Sequence, residues 1–516
     1  MMKNFKIYTL LIFCFISIVG CDSKFEEINT STVRINELDP IFVFNNAVQA
    51  CTITEGSLDY DIAIVQQIVT PNGGFVQGGN FNQFNAGNVT YTWDNFYGTG
   101  LKHLVDVINT VSEDPEKSNL YNMARILKAY GFMIITDTYG DVPYFDAGKG
   151  FLEGIVSPAY DPQNEIYADI LNELDEAGAA LNSSNYIESG DALLGGDITK
   201  WKRFCYSIML RAAMRVANQD SSMAQTYITK AVTGGLIQSN EDNVIVNNDF
   251  SFPNTNGQRL NAQEAANYYM TGEFVDFLAD SNDPRLASIA VRFIGATGAG
   301  DQNDALAGTS TTVVISTDPA DQIGLPMGND NFTAAALATT LGLASFYDFT
   351  QVDRRRMLAT DSPTFLVTYA QTQLLLAEAV IRGFTTGDAA TLFSNGIRAH
   401  MEQLATYGSD TAIDVSDIDT YIANNPLGAN ALQDINEQYW IASFLHGPET
   451  WANFRRSGYP DLSPNPFPNQ DITGDFINRL PYPDAELSVN KANMDEALSR
   501  QGFSGNSMDG VVWWAR

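Results

Sequence analysis

The feature that most restricts the fold is a set of apolar stripes at helical spacing. In 163–182, QNEIYADILNELDEAGAALN, the residues Ile166, Ile170, Leu174, Ala177 and Leu181 recur every three or four positions. In 197–217, DITKWKRFCYSIMLRAAMRVA, Trp201, Phe204, Cys205, Ile208, Ala212 and Val216 do the same. Residues so spaced share one face of an α-helix, and that face must be buried against another element. Asp197 stands where a carboxylate can accept the first free amide hydrogens of the second helix. The same periodicity predicts helices over 117–137, 221–233, 364–383, 387–406 and 429–445. Several are adjacent pairs across a short break, as 197–217 with 221–233 and 364–383 with 387–406. The expected fold class is therefore mainly α. Stacked pairs suggest tetratricopeptide-like units, although no clean repeat of about 34 residues is visible.

Two stretches lack this periodicity. Residues 71–98, PNGGFVQGGNFNQFNAGNVTYTWDNFYG, mix glycine, asparagine and aromatics. Residues 243–345 hold short β-like runs, NVIVNNDF and TTVVIST. Both are expected to be irregular, loop-rich insertions in a helical body. Flat rings beside Asn and Gln suit a ligand with polarised C–H patches and a rim of hydroxyls, and also a peptide backbone. The candidate binding residues are Phe75, Asn80, Phe81, Phe84 and Trp93 in the first stretch, and Asn331 and Phe332 in GLPMGNDNF (324–332). The opposing expectation is that these rings merely cap the core beneath a loop.

The N-terminus reads differently. MMKNFK places Lys3 and Lys6 ahead of an apolar run from Ile7 to Val19, the pattern of a secretory signal. The run falls short of the about 20 residues needed to cross a bilayer. It ends in Ile18-Val19-Gly20-Cys21. That boundary resembles a bacterial lipobox, in which the cysteine thiol takes a diacylglycerol. Residues 1–20 are thus expected to be a lipoprotein signal peptide, 21–40 a tether lipidated at Cys21, and 41–516 one body. No second segment is predicted to span a membrane.

Charge and chemistry narrow the function. Two of the 29 basic residues fall in the leader, so 27 face 61 acidic ones, a net of −34. Such a field repels polyanions, so nucleic acid is an unsuitable partner. Cys51 and Cys205 remain in the body; they could pair, but Cys205 lies in an apolar stripe and is expected to be a buried free thiol. His103, His400 and His446 stand in unrelated contexts, and there is no H-E-x-x-H, G-x-S-x-G, P-loop or C-x-x-C. The loop 295–304, GATGAGDQND, offers oxygen ligands for Ca²⁺ without EF-hand spacing, so no cofactor is expected and Ca²⁺ stays the open alternative. Glu378 in LLLAEAV and the arginines of PETWANFRRSGYPDL read as structural, and Asp283-Pro284-Arg285 as a turn or helix start. A glycoside hydrolase, which needs only two suitably spaced carboxyls, is the enzyme alternative.

Several segments together resemble the SusD/RagB family, in its second SusD-like subgroup. ITKWKRFCYSIMLRAAMRVAN is similar to that family's W-K-x-x-x-N-S-x-x-L-R helix. TDTYGDVPYFDA (136–147), LLLAEAVIRG (374–383), PETWANFRRSGYPDL (448–462) and RLPYPDAELSVN (479–490) resemble further signatures, in the family's order. The resemblance implies a tetratricopeptide-like scaffold under an irregular binding part. It implies a cell-surface, outer-membrane lipoprotein of a Gram-negative bacterium that binds oligosaccharide, or peptide, and partners a SusC-like TonB-dependent transporter. Aromatic and amide side chains without an acid/base pair support binding and not turnover, so no enzyme is expected. Asp22 would favour inner-membrane retention under one sorting rule, but SKFEE resembles a surface-export signal. One residue departs from the pattern: Tyr206 stands where the family has Asn.

Overall fold

The computed structural model describes residues 38–52, 56–74, 77–262 and 266–516. Cys21 and Phe75 lie outside the described residues. The longer helices are α1 (Pro40–Ala50), α2 (Lys102–Val111), α3 (Ser118–Tyr139), α4 (Gln163–Ala180), α5 (Ile198–Val216) and α6 (Ser221–Gly234). Then follow α7 (Thr255–Ala262), α8 (Gly272–Asp280), α9 (Asn331–Leu341), α10 (Tyr369–Ile381) and α11 (Ala389–Gln403). The chain closes with α12 (Val415–Asn424), α13 (Ala431–Ala442), α14 (Gly447–Ser457) and α15 (Lys491–Arg500). Strands are few and short. β1 (Ile68–Val69) pairs β3 (Tyr269–Met270), β2 (Val244–Val246) pairs β7 (Thr364–Val367), and β5 (Val314–Ser316), β4 (Ala290–Ile294) and β6 (Gln351–Val352) form a three-stranded sheet in that order. All these pairs are antiparallel.

The striped segments are helices packed in succession. α3, α4, α5 and α6 lie side by side, and α10 packs on α11 and α13. Trp201, Phe204, Ile208, Ala212 and Val216 are all fully buried. Removing such side chains from water stabilises by roughly 1.5–3 kcal/mol each for the large ones. Asp197 caps α5 by accepting from the Thr199 and Lys200 amides. One apolar cluster runs from Ile41 to Trp514 and joins the helices into a shared core.

The structure departs from the sequence reading in three places. The helix expected to begin at 364 begins at Tyr369, because Thr364–Val367 is strand β7. Thr368 and Gln371 form a capping box that fixes the start. Within 71–98, Tyr91–Asn95 is helical and continues through a wider π-type turn, Phe96–Leu101, into α2. At Gly100 in that turn a Cβ would stand 2.6 Å from Cys51 Sγ, so the backbone must approach bare. The stretch 243–345 carries α7, α8 and α9 besides its strands. Cys51 and Cys205 are both buried and unpaired. Burial raises both thiols, Cys51 to about 12.

Tyr206 has a packing explanation. A Cβ on Gly234 would lie 2.3 Å from the Tyr206 Cζ, and one on Gly178 would lie 3.0 Å from the same atom. Two glycines therefore make room for a ring where the family's pattern has a smaller amide. Gly234→Ala is expected to cost about 1–3 kcal/mol by overpacking. Tyr206→Asn in the same chain should recover most of that loss. Chemical denaturation of the four proteins of this cycle is the check; additive losses would mean that ring and glycine do not interact.

Candidate functional site

The irregular face is built on buried hydrogen bonds. A Cβ at Gly78 would lie 2.5 Å from Asp59 O, and Gly79 N donates to the same carbonyl at 2.7 Å, so the loop must pass close to this backbone. Tyr60 OH donates to Gln83 O at 2.9 Å and accepts from Asn85 N at 2.8 Å. Asn80 is buried and its Nδ2 donates to Thr70 O at 2.7 Å. These bonds set the loop 77–87 in one shape before any ligand arrives.

A second segment, 463–471, then zips onto the first. Asn465 Nδ2 donates to Asn80 O at 2.9 Å, Asn82 Nδ2 to Gln470 Oε1 at 2.8 Å, and Gln83 Nε2 to Asn469 O at 2.6 Å. Asp471 Oδ2 accepts from Phe84 N at 2.8 Å, and Asp471 N donates to Asn82 O at 2.9 Å. The rings of Phe81 and Phe467 stand 4.5 Å apart at 33°. Phe81 is buried, so it backs the half-buried Phe467. A third loop closes the group: a Cβ at Gly328, where φ is +76°, would meet Pro466 Cγ at 2.7 Å. The two sequence-predicted regions are thus joined through Pro466 and Phe467.

On these adjoining segments Phe84 is 39% exposed and Phe332 is 86% exposed, and Asn331 and Asn469 are exposed. Asp330 is spent as the cap of α9, accepting from Phe332 N and Thr333 N. Those capping bonds, that from Thr333 first, hold its carboxyl below the usual range. Asp471 is likewise spent on a backbone amide. Both acids thus hold backbone in place. The arrangement can offer ring faces and amide groups, which is a binding chemistry.

The other sequence candidates are placed apart. Trp93 is 7% exposed and sits among Tyr97, Tyr139, Tyr160 and Tyr482, with ring centroids 4.7 to 6.1 Å away. It lines a separate open cleft of about 290 Å³ with Phe151, Val156, Glu486 and Val489. The structure does not bring it together with Phe81 and Phe84. Asn80, Asn82 and Gln83 support the loop instead of standing free at a rim. The segment 463–471 is the part that sequence reasoning missed, although its run SPNPFPNQD has the same aromatic-and-amide composition. The loop 295–304 includes the start of a helix, Ala299–Leu306, and Asp301 accepts from Thr297 N and Oγ1 there. Among the described residues, no group of three or more His, Cys, Asp or Glu could hold a metal ion. No helix among them is long and apolar enough to cross a membrane.

Comparison with known proteins bears on this geometry. A chitin-binding protein of known structure is 28% identical, with a TM-score of 0.79 over 92% of this chain and all of that one. A SusD homologue from Bacteroides uniformis is 23% identical, with a TM-score of 0.72 over 92% of this chain and 97% of that one. A chitin-binding SusD homologue from Flavobacterium johnsoniae is 22% identical, with a TM-score of 0.71 over 92% and 97%. The last two establish a likeness of fold. No curated protein matches. The family model described as "Starch-binding associating with outer membrane" matches residues 32–483, and the chain therefore belongs to this SusD-like family.

Proposed function

We propose that the protein is a lipid-anchored, surface-exposed lipoprotein of the outer membrane that captures oligosaccharide nutrients without hydrolysing them and passes them to a SusC-like TonB-dependent transporter. The observation that carries the reading is the joining of the Phe84 loop to the segment of Phe467, with the loop of Gly328 packed against Pro466. The loops that carry the rings are joined by their own hydrogen bonds, and Asp330 and Asp471 both accept from backbone amides. A preformed aromatic face binds without first ordering its loops. The family description names starch, and two structural neighbours are described as chitin-binding, so glucans and N-acetylglucosamine polymers head the candidate ligands. The lipobox-like boundary at Cys21 supports the anchor. Anchoring keeps captured ligand at high effective concentration beside a pore.

The test has two arms. A glycan and peptide array with the purified body should show an oligosaccharide class bound at micromolar or weaker affinity, about −8 kcal/mol at 1 μM. The tagged lipoprotein, drawn from outer membranes in mild detergent, should bring down a TonB-dependent barrel at near-equal stoichiometry. Peptides as the only array ligands would replace the sugar reading. Recovery of the protein alone, with hydrolysis of a glycan it binds, would replace the transport reading with a hydrolase.

A further inference from the structure

A crevice lies at the seam between the helical scaffold and the irregular part, away from the aromatic face. Its walls come from α7, the segment 357–365, α10, α11 and the turn 442–446. Its accessible volume is about 40 Å³. A water needs roughly 10–15 Å³ measured in this way, so the space holds a group of about three waters' size. Thr255, Pro363, Thr364 and Tyr407 are half-buried along it, which leaves a way in.

Most polar groups in the wall are already paired. Gln371 Oε1 accepts from Arg211 Nη2 at 2.8 Å, and its Nε2 donates to Ser443 Oγ at 2.9 Å. His446 accepts at Nδ1 from Glu449 N, 3.4 Å, which leaves its proton on Nε2 to donate to Tyr130 OH, 3.2 Å. Among the described residues, one atom of the wall is buried without a partner. Asn256 is 5% exposed, and its Oδ1 is buried without a hydrogen-bond partner. His400 is also 5% exposed, and its Nδ1 faces Arg285 Nη1 at 3.2 Å. A guanidinium only donates, so Nδ1 must be the acceptor and the proton sits on Nε2. Among the described residues, no hydrogen bond from that Nε2–H is found.

The crevice thus offers a buried unmet acceptor at Asn256, a ring N–H donor at His400 and an apolar wall of Met357, Leu358, Leu404 and Leu445. A buried polar atom left without a partner is costly, so a ligand that donates to Asn256 Oδ1 regains that cost. No carboxylate, lysine or arginine lines the space, which selects a neutral guest. A secondary amide bearing a methyl group has the matching parts. Its N–H meets Asn256 Oδ1, its carbonyl meets His400 Nε2–H, and its methyl meets the apolar wall.

We propose that this crevice binds a compact acetamido group, carried by an N-acetylated sugar or by an N-acetylated peptide end. The site is separate from the aromatic face, and neither reading depends on the other. The experiment is calorimetric titration of the purified body with N-acetylglucosamine, N-acetyl-alanine amide and glucose. One or both acetamides should bind at least tenfold more tightly than glucose, and which one binds names the source. Asn256→Leu should weaken that binding at least tenfold while leaving polymer capture on the array unchanged. A crystal of the unaltered protein soaked in the binding acetamide should show it between Asn256 and His400, which decides the matter if the variant does not fold. Equal binding of glucose, no binding of either acetamide, unchanged affinity in a folded Asn256→Leu, or ordered water alone in the soaked crevice would each overturn the proposal.

Discussion

Glu378→Ala is expected to destabilise the protein by about 3–5 kcal/mol, the usual cost of leaving one partner of a buried ion pair alone. Glu378 in α10 takes both arms of the Arg456 guanidinium from α14, with Nη1–Oε1 and Nη2–Oε2 each 2.6 Å. The two side chains are 3% and 1% exposed. Asn436 from α13 donates to Glu378 Oε2 at 3.2 Å, and its Oδ1 accepts from Asn453 at 2.9 Å and from Arg456 at 3.1 Å. Three helices are therefore locked by one carboxylate. Removing it leaves a guanidinium in an interior that water does not reach. Glu378→Leu with Arg456→Met should cost less than the sum of the two single changes, because neither charge is then stranded. Urea denaturation followed by circular dichroism reads the effect. A loss below about 1 kcal/mol in Glu378→Ala, far under the usual cost, would show that the pair is not buried as described.

The same pair sets a pH dependence whose sign is fixed. Burial alone would raise the Glu378 carboxyl, but Arg456, by charge and by hydrogen bonding, outweighs it and holds the group below its ordinary value. A carboxyl lowered on folding stabilises above its unfolded pKa of about 4.3. That contribution is lost as pH falls through the folded value. Wild type and Glu378→Ala should thus differ most near neutrality and converge in acid.

Parts of this were legible in the sequence. Glu378 sits inside LLLAEAV, where an acid on an apolar stripe needs a buried partner, and RR in WANFRRSGYPDL supplies one. The stripes of α4 and α5 were legible because their period is set by the helix itself. Strand β7 was not, because TFLV is a short apolar run that either helix or strand can use. Only the capping box of Thr368 and Gln371 marks the boundary. The surroundings of Trp93, the largest ring in its stretch, were not legible either. Its neighbours Tyr139, Tyr160 and Tyr482 come from elsewhere in the chain, and nothing local announces them. The segment 463–471 failed for the same reason, since its hydrogen bonds reach back more than 380 residues.

That segment carries the largest functional effect expected. Phe467→Ala together with Phe84→Ala should weaken oligosaccharide capture by roughly thirtyfold to ten-thousandfold. Each lost ring is taken to remove ~1–3 kcal/mol, by analogy with the stacking of bases on aromatic side chains. Phe467 leans on Phe81 at 4.5 Å, and Gln470 Nε2 donates to Phe467 O at 2.8 Å. Its ring is therefore oriented in advance and is not ordered at the ligand's expense. Phe332 is more exposed and stands on a helix start, so Phe332→Ala alone should cost less than the pair. The fold is expected to hold, because Phe84 is exposed, Phe467 is half-buried, and the hydrogen bonds that shape the loops come from Asn80, Asn82, Gln83 and Asn465. Affinity for an array-identified oligosaccharide, measured by calorimetry, is the readout, with circular dichroism as the control for fold. Trp93→Ala gives the contrast. If it abolishes capture and the Phe84 and Phe467 changes do not, the ligand sits in the cleft of Trp93, Phe151 and Val489, and the aromatic face has another use.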